Sequence, residues 1–341
     1  MERIPVIKPS VEPAVDHPDQ PAWQMVEQLK RRSHFRRATQ ISPDTWIEGE
    51  KKFRIEVIRS GQDPTLTAVH KMFERTFGEE EVDPEEFLRT AVEGITPWGT
   101  PDSRYLILTA KNEKGKLIST ITGAQLDIED EQGQLTGETV LYIGYAVTDP
   151  KIRQGGLARE LYISMVMEAA QQAQREGKRL KFAIGECTWT SEKFWNKVGW
   201  KRVYTQTGGK KEYTELPYVQ PALDYDPATG APTEEAGEMP EHLMVDAFGN
   251  AVPNKTDLQR AVQSLYYFCN EWPPEAFTTP GAFEQQQVYL AGIRTDLKKF
   301  LDDSGQLILL DAEKREQALQ VGLIIHEHQA ANQGNTGEED F

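Results

Sequence analysis

Cysteine is scarce in this chain, which has Cys187 and Cys269 as the only two among 341 residues. Two cysteines are too few for a disulfide framework, and they lack the paired spacing of zinc ligands. Six histidines are scattered along the chain, and the close pair His326 and His328 is more often an exposed helix end than a metal site. We therefore assign no metal and expect the reducing, cytoplasmic compartment.

Long apolar runs are missing as well. No run of about 18 or more apolar residues occurs, and the opening segment MERIPVIKPSVEP lacks the apolar core of a secretory signal, so we expect no membrane association. Lys and Arg total 38 against 54 Asp and Glu, which gives a formal net charge of −16. This charge argues against nucleic-acid binding and favours a cationic or amine-bearing substrate, although an acidic surface can also serve solubility alone.

Two common nucleotide-binding glycine patterns are absent. Neither G-x-x-x-x-G-K-[ST] nor G-x-G-x-x-G occurs, which argues against a nucleoside triphosphate with magnesium and against a dinucleotide. Instead, the segment YIGYAVTDPKIRQGGLA, residues 142–158, predicts a strand, a glycine turn and an amphipathic helix. Gly155 and Gly156 let backbone N–H groups approach an anion, the helix N-terminus adds partial positive charge, and Arg153 adds a bidentate guanidinium. The segment therefore predicts a pyrophosphate cradle.

Two motifs in this part of the chain resemble one protein family. Arg153, Gly156 and Ala158 form R-x-x-G-x-A, which resembles the acetyl-CoA loop Q/R-x-x-G-x-G/A of the GNAT superfamily of N-acetyltransferases. FWNKVGW, residues 194–200, is similar to the aromatic-aromatic-x-x-x-Gly-aromatic end of that family's last helix. The resemblance implies an α/β (α+β) fold with a mixed, mostly antiparallel central sheet flanked by helices, and acetyl-CoA as co-substrate. It also implies cofactor-binding contacts from Val147, Thr148, Arg153, Gln154, Gly155, Gly156, Leu157 and Ala158.

The two residues at the end of the strand have an ordinary alternative. The backbone groups of Val147 and Thr148 could bond the pantetheine amide as a further strand would, but Val147 could equally be a core residue. The alignment of Thr148 with the residue that ends this strand in the family could shift by one position.

Composition and periodicity divide the chain into four parts. Residues 1–50 are predicted to be an arm with a basic helix, residues 51–250 the GNAT-like domain with a long loop at about 205–240, residues 251–330 a mainly helical region, and residues 331–341 a disordered tail. The cluster KRRSHFRR, residues 30–37, could contact the CoA 3′-phosphate, an acidic partner or nucleic acid, but we favour a solvated helix face. The C-terminal region could be an independent domain, a homodimer contact or a cover over the acceptor groove.

Acetyl transfer requires a base for the attacking amine and an acid for the leaving thiolate. Glu186, at the end of the strand predicted over residues 180–184, is our candidate base, although an exposed strand-end glutamate is the commoner case. Tyr142 and Tyr145 lie on the neighbouring strand and face opposite sides, so at most one can point into a substrate groove. Both could instead be packing aromatics. We select Glu186 and Tyr142 as the catalytic candidates.

The chain departs from the family where many members have a tyrosine as general acid. Trp195 stands at that position and cannot donate a proton in the same way, which leaves Tyr204 or water. Trp189 and Trp195 could line an acceptor pocket for an ammonium group or pack in the core, and Trp200 is predicted to be core.

The resemblance implies an N-acetyltransferase. We favour transfer of acetyl from acetyl-CoA to a primary amine of a small molecule by direct attack on the thioester. The alternatives are a protein acetyltransferase acting on lysine or an N-terminus, or a non-catalytic CoA-binding or scaffolding protein with a degenerate GNAT fold. A longer acyl chain and a carrier protein in place of CoA also stay open.

Overall fold

The computed structural model describes residues 38–42, 45–48, 51–79, 82–94, 104–152, 156–187, 191–206, 212–233, 239–250 and 252–326. The chain divides into two compact units, each made of two segments. The first unit comprises Met1–Gln125 and Ile143–Leu180, and the second comprises Leu126–Tyr142 and Lys181–Phe341. The predicted basic helix and the predicted C-terminal tail lie outside the described residues. The sequence-based domain division stays a prediction.

The first unit contains an antiparallel sheet whose strands follow one another in chain order. Its strands are β1 (Ala38–Ser42), β2 (Thr45–Glu48), β3 (Lys51–Ile58), β4 (Arg104–Asn112) and most of β5 (Leu117–Glu129). The last part of β6 (Leu135–Thr148) also belongs to this unit. The β4–β5 hairpin predicted from the turn at 112–115 is present, whereas the β1–β2 hairpin is a feature that sequence analysis did not predict.

Three helices of the first unit are α1 (Thr65–Phe77), α2 (Glu85–Val92) and α3 (Leu157–Arg175). In α1 the apolar residues at helical spacing, Leu66, Val69, Met72 and Phe73, are all buried, as their periodicity predicts. Helix α3 packs against β4. The helix ends just before Gly177, where the chain turns; the φ of 69° at this residue lies in the left-handed region that glycine adopts readily.

The second unit contains a sheet in which the strands do not follow chain order. Along the sheet the order is β7 (Arg179–Cys187), β12 (His242–Asp246), β8 (Lys201–Gln206), β9 (Tyr213–Glu215) and β14 (Ile324–His326), and β13 (Leu307–Leu310) pairs with β8. Strand β12 is antiparallel to both β7 and β8. The segment EHLMVDAF, residues 241–248, predicts this strand as the last one of the core sheet, delayed by the long insertion. The helices of this unit are α4 (Glu192–Val198), α5 (Lys255–Cys269), α6 (Ala282–Asp303) and α7 (Ala312–Gln320).

The insertion between β8 and β12 is more ordered than a plain loop. Besides β9 it contains β10 (Val219–Gln220) and β11 (Met239–Pro240), which pair with each other. Helix α5 holds it through side chains that donate to its carbonyl groups: the Tyr266 hydroxyl to Val219 at 3.0 Å and Asn270 Nδ2 to Pro221 at 3.0 Å. Val219 and Pro221 of the insertion are thereby held against α5 and the residue that follows it.

The predicted fold class is confirmed. Both units combine helices with sheet, and among the described registers the pairing of β9 with β14 is the one parallel case. No helix in the described part of the chain is both long enough and apolar enough to cross a membrane.

Candidate active site

The predicted pyrophosphate cradle begins where β6 ends. After Thr148, the Asp149 N–H donates to the Ile118 carbonyl at 2.9 Å, and a single 3-10 turn follows at Pro150–Ile152. Gly156 has φ 87° and ψ 1°, and it directly precedes α3 as its N-cap residue, where glycine has no side chain to bond the first helical N–H groups. A left-handed residue at this point costs an L side chain about 1–2 kcal/mol, which explains the glycine. Arg153, Gln154 and Gly155 lie outside the described residues.

Four further predicted cofactor residues flank this turn. Leu157 is buried and Ala158 is half-buried in the first turn of α3. Val147 is 6% exposed, and its carbonyl accepts a hydrogen bond from Ser119 Oγ at 2.9 Å. The same Ser119 hydroxyl lies 2.7 Å from Thr148 Oγ1. Ser119 thus ties the end of β6 to β5 and fixes the backbone that leads into the turn.

The two catalytic candidates meet in the second unit. Tyr142 lies on β6 and donates its hydroxyl to Glu186 Oε2 at 3.3 Å. Glu186 is positioned by β7, where it stands opposite Leu243 of β12. Its other oxygen, Oε1, accepts a hydrogen bond from the Tyr218 hydroxyl. Two tyrosine hydroxyls therefore hold one carboxylate from two sides.

Burial dominates the electrostatics of this group. It raises the pKa of Glu186 above its usual value, because the charged carboxylate loses water, and the hydrogen bonds from Tyr218 and Tyr142 oppose that rise only in part. Burial also raises the pKa of Tyr218 well above its ordinary value, and the neighbouring Glu186 charge adds to the effect. The pKa of Tyr266 is raised for the same two reasons. The site therefore combines a carboxylate that binds protons more readily than usual with phenols that keep theirs.

The sequence analysis does not identify Tyr218 and Tyr266 as members of the group around Glu186. Tyr218 belongs to the proline-rich insertion, and Tyr266 belongs to the apolar stripe of α5. Their ring centroids lie 5.9 Å apart. The sequence carries no signal for Tyr218, since its place depends on how the insertion docks on α5.

Tyr145 and Tyr204 have other surroundings. Tyr145 packs with Phe73 in the first unit, with ring centroids 4.8 Å apart. Tyr204, our alternative proton donor, is fully buried in an apolar cluster with Leu310, Ala318 and Ile324 of the second unit.

The aromatic motif after β7 forms core. Trp195 and Trp200 are 7% and 0% exposed, and their ring centroids lie 4.8 Å apart. Phe194 packs against Trp195 at 4.8 Å. Trp200 is core as predicted, and Trp195 is packed in the same way. Trp189 lies outside the described residues.

A buried ion network fixes α4 beside the sheet. Arg202 of β8 is 1% exposed and donates to both Glu192 oxygens, at 2.8 Å from Nε and 2.5 Å from Nη2. It also donates to Glu215 at 3.3 Å, and His242 Nδ1 lies 2.7 Å from the same Glu215 oxygen. Mutual hydrogen bonding compensates these buried charges, so we regard the network as structural.

Other possible sites offer less chemistry. A cavity of about 550 Å³ in the first unit is lined by polar residues, including Arg89 and Glu93, but by none of the predicted catalytic or cofactor residues. Within the described ranges, no group of three or more His, Cys, Asp or Glu side chains is arranged to hold a metal ion.

No protein-family model and no curated protein sequence matches this chain. Among solved structures, the aminoglycoside acetyltransferase meta-AAC0020 from an uncultured soil metagenomic sample is 15% identical, with a TM-score of 0.31 over 42% of this chain and 83% of that one. The ribosomal-protein-S18-alanine N-acetyltransferase of Escherichia coli is 13% identical, with a TM-score of 0.33 over 59% and 96%. NAA60 of Arabidopsis thaliana is 10% identical, with a TM-score of 0.35 over 56% and 96%. At these identities and TM-scores the likenesses show neither an activity nor a substrate for this chain.

Proposed function

We propose that this protein is an acyl-CoA-dependent N-acyltransferase that transfers acetyl from acetyl-CoA to a primary amine of a small molecule. The observation that carries the proposal is Gly156 of the R-x-x-G-x-A motif, which adopts a left-handed φ of 87° as the N-cap residue of a 19-residue helix and has no side chain to cap it. Uncapped N–H groups at such a terminus bind phosphate oxygens. A Cβ built at Gly156 would have no atom within 4 Å, so the approach to the helix end is open. The residues present therefore fit a pyrophosphate.

In this proposal Arg153 and the backbone of residues 154–158 hold the pyrophosphate, and the backbone at Val147 and Thr148 holds the pantetheine. The Val147 carbonyl accepts a hydrogen bond from Ser119, which fixes the strand backbone beside the proposed pantetheine position. Acetyl-CoA supplies the acyl group as a reactive thioester. The remaining chemistry is proton movement, and the protein provides it.

Glu186 acts as the base in our proposal. An amine at neutral pH is mostly an ammonium ion and must lose a proton before it can attack a carbonyl. A carboxylate whose pKa is raised by burial accepts that proton more readily than an exposed one.

Tyr142 then returns the proton. Its hydroxyl gives its own proton to the departing thiolate while it accepts the proton held by Glu186. Because the two transfers occur together, no charge remains on the tyrosine. Tyr142 is half-buried and can reach a substrate, whereas Tyr218 is 0% exposed. We therefore assign Tyr142 to the relay, and Tyr218 to positioning the carboxylate. This relay replaces the tyrosine that the family often has where Trp195 stands.

A coupled binding and turnover experiment tests the proposal. Acetyl-CoA binding is measured by calorimetry on the wild type and on Arg153→Glu with Gly156→Glu, and thiol release is then followed with a panel of small amines and of lysine peptides. We expect binding that is lost in the double variant, and thiol release with small amines. Tyr142→Phe should lower the rate by about 10²-fold or more, whereas the control Tyr267→Phe, an exposed tyrosine of α5, should not.

Three outcomes would overturn part or all of the proposal. Absence of acetyl-CoA binding by the wild type would remove its basis. Binding without thiol release from any acceptor would indicate a non-catalytic CoA-binding protein. Release with lysine or N-terminal peptides alone would make the protein a protein acetyltransferase.

A further inference from the structure

Three aromatic rings of the first unit form a cluster that reaches from the core to the surface. The ring centroid of Tyr145 lies 4.8 Å from that of Phe73 and 5.4 Å from that of Phe77, and the two phenylalanine centroids are 6.3 Å apart. Phe73 is fully buried, Tyr145 is half-buried, and Phe77 is 39% exposed. The outer part of the cluster therefore offers aromatic surface to a ligand in solution.

A carboxylate lies beside the same cluster. Asp83 precedes α2, and the Tyr145 hydroxyl donates a hydrogen bond to it. Burial raises the pKa of Asp83 to about 6, so it is ionised at neutral pH despite its low exposure to water. This group is an anion at the edge of an aromatic surface.

The charged groups around Asp83 leave this anion poorly compensated. His70 of α1 is the basic side chain that acts on it, and His70 Nδ1 itself lies 3.5 Å from Glu74 Oε1. Glu85, on the helix that follows Asp83, is paired with Arg89. No lysine or arginine acts on Asp83 within the part of the chain that the structure describes.

We propose that Phe77, Tyr145 and Asp83 form a binding site for a primary alkylammonium ion. The N–H groups of such an ion would bond the carboxylate, its positive charge would face the aromatic rings, and its alkyl chain would cover the exposed part of Phe77. Because Asp83 is half-buried, the pair gains more than an ion pair fully exposed to water. The site binds an amine whether or not the protein acetylates it. Tyr145 and Tyr142 face opposite sides of β6, so we do not assign this amine as the acyl acceptor.

The test measures binding in the absence of acetyl-CoA. Ligand-observed NMR titrations use butylammonium as the probe and 1-butanol as a neutral probe of similar size. We expect butylammonium to bind the wild type at about pH 7.5 and about tenfold more weakly at about pH 5, where a carboxyl with a pKa of about 6 is mostly protonated. Asp83→Asn should reduce the affinity at least tenfold and remove its pH dependence. Phe77→Leu should weaken binding by a smaller factor, about two- to fivefold.

Glu86→Gln is the matched control, because it removes a carboxylate from an exposed position of α2 near Asp83. Its affinity should equal that of the wild type. The proposal fails if 1-butanol binds as well as butylammonium, if Asp83→Asn binds unchanged, or if Glu86→Gln has the same effect as Asp83→Asn. Thiol release is measured separately: its absence would contradict the proposed function, whereas the amine site stands or falls on the binding titrations alone.

Discussion

Replacing Glu186 by glutamine should lower the rate of thiol release and, at neutral pH, raise the free energy of unfolding. The variant keeps the shape of the side chain; its one oxygen can accept from one of the two tyrosine hydroxyls and its NH2 group can donate to the other, but it cannot bind the proton of an amine. General base catalysis contributes about 10²–10⁴-fold, so we expect thiol release to fall by that factor.

The gain in stability follows from the pKa of Glu186. In the unfolded chain this carboxyl ionises near its ordinary value of 4.5, whereas burial raises its pKa in the folded protein. Between these two values the folded protein holds more protons, so the free energy of unfolding of the wild type falls as pH rises. The loss is about 1.4 kcal/mol for every pH unit by which burial raises this pKa. Glutamine does not ionise, and the variant avoids this loss.

Urea unfolding at about pH 7 and at about pH 4, together with the thiol-release assay, checks both effects. The variant should exceed the wild type in free energy of unfolding at neutral pH, and the difference should shrink at the lower pH. Glu275→Gln makes the same change at an exposed position of the second unit and should alter neither property. A glutamine variant that turns over at the normal rate, or that is less stable than the wild type at neutral pH, would refute this reasoning.

Two further predictions concern the backbone and the core. Gly156→Ala should cost about 1–2 kcal/mol of stability, since Gly156 has a left-handed φ of 87°. Gly292→Ala should instead add about 0.5–1 kcal/mol, because Gly292 lies inside α6 with open space around it. Thermal or urea unfolding of both variants measures these changes, and a change of the same sign in both would contradict the prediction. Arg202→Met should cost about 3 kcal/mol or more, because Glu192 and Glu215 would remain buried without their guanidinium, and unchanged unfolding in urea would show that the network contributes nothing.

The sequence was informative where a local pattern is sufficient. The apolar spacing of α1 predicts its bounds, and the segment 142–158 predicts the strand, the glycine turn and the helix that begins there. In each case the signal lies within one element, so its periodicity or its turn chemistry identifies the structure.

The sequence was silent where residues distant in the chain must meet. Glu186 and Tyr142 were selected separately, and nothing in either segment indicates that Tyr218 would complete their group. That contact depends on the docking of the insertion, which the hydrogen bonds of Tyr266 and Asn270 establish. The raised pKa of Glu186 is likewise a property of the folded environment, since an isolated strand-end glutamate is solvated.

The place of β12 between β7 and β8 imposes an order on the folding of the second unit during synthesis. As the chain leaves the ribosome, β7 and β8 emerge first, and each must wait for residues 242–246 before it gains the partner that joins them. Until then both strands expose unpaired backbone groups, which makes this interval the one in which a nascent chain is most open to wrong pairing. Synthesis must also have passed Tyr218 before Glu186 receives that hydrogen bond, so a chain halted before residue 218 would contain the whole 153–158 motif and a Glu186 without its second tyrosine partner.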